Sequence, residues 1–136
     1  MKDSLKAGIK VSKTIAIDRS RTIGFMGDEG RVYGTPRMVE DFEDTCRNFL
    51  LEHLDDGEDT VGTHVSVDHM APTVEDDQVT FEVEITKVDG RMVTMQATVS
   101  DSVEPVGRGT HSRFVVDKAK TFERLKAKRE KALGAK

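Results

Sequence analysis

The hydrophobic period changes several times along the chain, and each change predicts an element. Ile9, Val11, Ile15 and Ile17 fall near every second position, which predicts a first strand. Residues 18–34 follow with Gly24, Gly27, Gly30 and Gly34 among charges, and with Phe25, Met26 and Tyr33 inserted. Glycine at that density predicts a mobile loop or lid. Thr35-Pro36 has the form of a helix start, with Thr35 at the cap and Pro36 at the first helical position. Met38, Val39, Phe42, Cys46, Phe49, Leu50 and Leu54 then recur at spacings of three and four. They predict an apolar helix face over residues 36–54, about 28 Å long at 1.5 Å per residue. Asp55-Asp56-Gly57 ends it.

From Thr60 to Val116 the period is two. Val61, Val65 and Val67 alternate with Gly62, His64, Ser66 and Asp68, and counting back by twos from His69 places Val67, Val65, Thr63 and Val61 on one inward side. Val79, Phe81, Val83 and Ile85 alternate with Thr80, Glu82, Glu84 and Thr86; after the Asp89-Gly90 turn, Val93, Met95, Ala97 and Val99 do the same. A last strand is predicted over 103–116, and a helix from Lys118 with only Phe122, Leu125 and Leu133 as large anchors. The sum is an α+β domain: one apolar helix packed against an antiparallel sheet of five strands, plus a charged C-terminal helix.

Composition narrows this picture. A chain of 136 residues is predicted to form a single domain spanning 1–136. Cys46 is the only cysteine, which excludes an internal disulfide and a multi-thiolate zinc site. No apolar run is long enough for a membrane span, and none follows the N-terminal lysines as in a signal peptide, so a cytoplasmic protein with no membrane partner is expected. The net charge of −4 is split: residues 117–136 hold eight Lys/Arg against three Asp/Glu. A basic end over 118–136 can attract phosphates, nucleic acid or an acidic partner, or simply form a solvated helix face. With so few aromatics beside it, nucleic acid is not the expected partner.

Two polar residues break the apolar pattern. Glu43 lies four after Val39 and three before Cys46, on the helix stripe, where an ionised carboxylate needs a partner or nearby solvent. His69 falls on the inward side of its strand. An inward glutamate and an inward histidine on adjacent elements make an acid–base pair suited to proton transfer at neutral pH. Thr35, eight residues before Glu43, is either committed as a cap or free to bind a carbonyl or oxyanion. Cys46 has nothing nearby in sequence to lower its pKa and reads as structural. His53, His64, His69 and His111 show no metal-ligand spacing, and neither a phosphate loop, a dinucleotide fingerprint nor a Gly-x-Ser-x-Gly elbow is present, so neither metal nor cofactor is expected.

Taken in order, Thr35 with Glu43, Val67-Asp68-His69, Gly90-Arg91 and Gly107-x-Gly109-Thr110-His111-x-Arg113 resemble the hot-dog-fold thioesterases, and within them the fluoroacetyl-CoA thioesterase-like group. The resemblance runs from about residue 6 to 125. It implies a sheet wrapped around the central helix, a homodimer or higher homo-oligomer with active sites at the subunit interface, and hydrolysis of an acyl-CoA. It carries catalytic roles onto Thr35, Glu43 and His69: Glu43 attacking or activating water, His69 protonating the CoA thiolate, Thr35 stabilising the oxyanion. Phe25, Met26, Tyr33 and Arg113 become candidate substrate-binding groups. The lid is shorter than in the fluoroacetyl-specific member, which implies another small or medium acyl group. The rival reading is a non-catalytic acyl-CoA-binding or regulatory domain on the same fold.

Overall fold

The computed structural model describes residues 1–134. The elements in chain order are β1 (Lys10–Ala16), α1 (Thr35–Leu51), β2 (Glu58–His69), β3 (Gln78–Asp89), β4 (Met92–Ser100), β5 (Pro105–Asp117) and α2 (Lys118–Leu133). All five strands join one antiparallel sheet in the order β1-β3-β4-β5-β2, so β1 and β2 are its edges.

Helix α1 lies across one face of that sheet. Its buried side chains, Met38, Phe42, Cys46, Phe49 and Leu50, meet the inward alternates Val79, Phe81, Val83 and Ile85 of β3 and Val93, Met95, Ala97 and Val99 of β4. Each large apolar side chain fully removed from water contributes roughly 1.5–3 kcal/mol. The helix approaches β5 closely because glycines leave room for it. A Cβ on Gly107 would meet Met38 Sδ at 2.8 Å, and one on Gly109 would meet Phe42 Cε2 at 2.8 Å.

Three local readings differ from the pattern. The helix N-cap is Gly34, with Thr35 already inside the first turn, so the Thr35 hydroxyl is not spent on capping. Strand β2 carries a bulge between Gly62 and His64, where Thr63 is the extra residue. The bulge reverses the parity of everything before it: Val65, Val67 and His69 share the helix-side face, whereas Val61 pairs with Phe114 on the opposite face and is 45% exposed. Residues 18–34 also have more order than a bare glycine-rich lid. Two 3-10 turns (Arg19–Arg21 and Asp28–Gly30) and a bridge between Thr22 and Tyr33 close the segment, and Arg19 pairs with Asp28 at 2.6 Å.

Helix α2 buries none of its described side chains. The expected basic helix over 118–136 is observed to Leu133, and residues 135–136 lie outside the described part.

Candidate active site

Two polar clusters occupy the helix-side face, one near each end of β2. At the C-terminal end, Thr35 Oγ1 and His69 Nδ1 are 2.7 Å apart, joining the first turn of α1 to the last residue of β2. Burial lowers the His69 pKa below its ordinary value, with the Ala71 backbone acting in the opposite direction, so the ring is neutral at pH 7. A neutral imidazole beside a hydroxyl is the pairing that general-base chemistry uses. The Tyr33 ring stands edge-on to His69 at 6.1 Å between centroids.

Tyr33 is itself fixed from behind. Its hydroxyl donates to Asp41 Oδ2 at 2.6 Å, and Arg21 donates to both oxygens of the same carboxylate at 3.1 and 3.3 Å. Asp41 is almost fully buried, and burial together with the Asp41 carboxylate drives the Tyr33 pKa upward, so Tyr33 stays neutral. Tyr33 therefore presents its ring to the site and its hydroxyl to the scaffold. Phe25 and Met26, by contrast, stand at the tip of the 18–34 segment, exposed.

The second cluster surrounds Glu43. Its carboxylate sits at the edge of the helix stripe, 37% exposed, with Oε1 at 4.0 Å from Arg113 Nη1 and 3.9 Å from His111 Nε2. A Cβ on Gly62 would come within 3.0 Å of that oxygen, so β2 passes directly over it. Arg113 is clamped by Thr60, donating from Nε to Oγ1 at 2.7 Å and from Nη2 to the backbone carbonyl at 2.8 Å. The fully buried His111 donates from Nδ1 to the His64 carbonyl at 2.7 Å, which leaves Nε2 to accept from Arg113 Nη1 at 3.2 Å. Burial, first among the causes, lowers the pKa of His111 and of Arg113. The result is a cation aimed at Glu43 with few conformations open to it.

The structure thus joins Thr35 to His69 and Glu43 to Arg113, but it does not join the two clusters within one chain. Gly62 and His69 are separated by about 20 Å of strand, at ~3.3 Å per residue. Sequence reasoning did not find the Arg21–Asp41–Tyr33 network or the role of His111. The signal for Asp41 was present: it lies three after Met38 and four before Thr45, on the buried stripe. Cys46 is buried, and its thiol is pushed up to about 12, which fits a structural residue. Glu40, Asp41 and Asp44 bring carboxylate oxygens within 4.8 Å of one another, but Asp41 is already held by Arg21 and Tyr33.

Comparison with known proteins places this geometry. A family profile described as fluoroacetyl-CoA-specific thioesterase matches residues 17–119. The fluoroacetyl-CoA thioesterase of Streptantibioticus cattleyicolor is 27% identical over 135 residues, covering 94% of this chain and 97% of that protein. A solved structure of a fluoroacetyl-CoA thioesterase superposes with a TM-score of 0.83 at 26% identity, covering 93% of this chain and 98% of the other. A hot-dog-like protein from Thermanaerovibrio acidaminovorans superposes with a TM-score of 0.82 at 24% identity, over 90% of this chain and 91% of the other. The fold is the hot-dog fold.

Proposed function

Because the chain belongs to the fluoroacetyl-CoA-specific thioesterase family, we propose that it hydrolyses an acyl-CoA thioester to the free acid and CoA. The observation that carries this reading is the 2.7 Å contact between Thr35 Oγ1 and His69 Nδ1. His69 takes the proton of the attacking oxygen as the tetrahedral intermediate forms. The C–S bond then breaks, and His69 returns the proton to the departing CoA sulfur. The contact makes Thr35 Oγ1 the first candidate for that oxygen, with a second round using water to release the acid. At the start of α1 only the Thr35 N–H is left for the developing oxyanion, since Pro36 has none and Arg37 and Met38 donate to the Gly34 carbonyl.

Glu43 enters this scheme through a second copy of the chain. The free edge of β2 offers unpaired backbone groups, and Val61 and Val65 are exposed on it. Two such edges pairing antiparallel about Ser66, with Val65 opposite Val67 of the partner subunit and Thr63 left out as the bulge, set His69 of the partner subunit opposite Gly62. That position is next to Glu43. The proposed unit is therefore a homodimer whose site combines Thr35 and His69 from one subunit with Glu43 and Arg113 from the other. The carboxylate there stabilises the imidazolium that forms during proton transfer. A CoA substrate and a buried free Cys46 both suit a reducing cytoplasm.

The test is thiol release from a panel of acyl-CoAs. The wild-type chain is expected to turn over at least one member, with kcat/KM falling by about 10²–10⁴-fold in His69→Gln and Thr35→Ala. Turnover that survives both substitutions sinks the assignment. Binding of acyl-CoA with no thiol release by the wild-type chain would instead mark a non-catalytic binding domain.

A further inference from the structure

The Thr35–His69 pair lies in a trough of about 410 Å³ whose remaining walls identify what the site accepts. Ile23, Phe25, Val32, Pro36, Met70 and Ala71 line it, and among the described residues of the same subunit no charged side chain does. The one other hydroxyl at its edge, that of Tyr33, is turned away and spent on Asp41. The nearby Arg31 is also engaged elsewhere, with Thr22 and Asp28. Beyond the carbonyl position, the trough therefore offers only apolar surface. Phe25 at 82% exposure and Met70 at 49% stand at its rim, large side chains left in water.

We propose that the acyl group cleaved by this protein is an uncharged hydrocarbon several carbons long, seated against the rim residues Phe25 and Met70 with its carbonyl at Thr35. This rests on the hydrolysis proposed above and adds the substrate class. A two-carbon acyl group ends at the pair and leaves the trough and its rim wet. Each further methylene buried there is worth about 0.8 kcal/mol, or three- to fourfold in kcat/KM when the contact is kept in the transition state. A terminal carboxylate, as in succinyl-CoA, meets no cation among these walls, and the Arg113 brought by the other subunit is already held by Thr60 and faced by Glu43, so the carboxylate keeps its desolvation penalty. A fluorine substituent finds no polar group beyond the pair itself.

The experiment compares kcat/KM for acetyl-, fluoroacetyl-, butyryl-, hexanoyl- and succinyl-CoA by thiol release. Hexanoyl-CoA is expected at least tenfold above acetyl- and fluoroacetyl-CoA, and succinyl-CoA at least tenfold below butyryl-CoA. In Phe25→Ala, whose exposed site makes no demand on folding, the hexanoyl-to-acetyl ratio is expected to fall by threefold or more. Thiol release that is best with acetyl- or fluoroacetyl-CoA, efficient cleavage of succinyl-CoA, or an unchanged ratio in Phe25→Ala overturns the hydrocarbon assignment while leaving hydrolysis intact. No thiol release from any thioester overturns both.

Discussion

Single residues in this chain do two kinds of work, and Tyr33 does both. Its ring sits against His69, while its hydroxyl and the Arg21 guanidinium neutralise Asp41 beneath the helix start. Removing the hydroxyl in Tyr33→Phe leaves a buried carboxylate one donor short, at a cost of about 1–3 kcal/mol. Asp41→Ala strands Arg21 and Tyr33 together and is expected to cost about 2–4 kcal/mol. Chemical denaturation reads both, and stabilities equal to wild type would show that the network carries no weight. Of the candidate site residues, His69 could be named from sequence because it interrupts a clear period, and Thr35 because its hydroxyl stands at a helix start. Their 34-residue separation gives no hint that they touch.

At the level of elements, β2 departs furthest from its sequence pattern. Alternation alone places Val61 and Thr63 with Val65 and His69, but the bulge after Gly62 rotates the first part of the strand by one residue. A bulge has no period of its own in sequence; it is fixed by what the partner strand and the helix accept, here the side chains of Arg113, His111 and Glu43 around Gly62. If β2 edges pair between two copies, a charge at Val65 sits opposite Val67 of the partner subunit in an apolar seam. Val65→Asp is then expected to shift the protein from dimer to monomer in sedimentation and to lose most thioesterase activity without unfolding. A fully active monomer would refute the shared site. Strands β3 and β4 keep their alternation over Val79–Ile85 and Val93–Val99, one core and one solvent face, and the irregularity of β3 falls only after Ile85.

For the molecule as a whole, the buried His111 and the half-buried His69 set the response to acid. Burial lowers the folded-state pKa of both His69 and His111 below the ordinary 6.5. The unfolded chain therefore binds protons first as pH falls, so stability is full above about pH 6.5 and declines below it, levelling only once the folded-state values are passed. Melting temperature measured from pH 8 to pH 5 is expected to fall on the acid side, with a smaller fall in His111→Gln. An equal slope in that variant would remove His111 from the account. Activity is expected to fall in acid only at a pH below 6.5, because neutral His69 is the working base.

The sequence by itself determined the elements, the α+β class and the apolar face of α1, because periodicity and turn chemistry are properties of neighbours along the chain. It also marked Glu43 and His69 as misplaced polar groups and Thr35 as a hydroxyl at the helix start. Only the tertiary structure decided which of them meet. The glycines of β5 let α1 settle close enough for Thr35 to reach the end of β2, and the bulge seats Gly62 over Glu43. Those pairings depend on strand register and helix approach between residues far apart in the chain, quantities that no local pattern encodes.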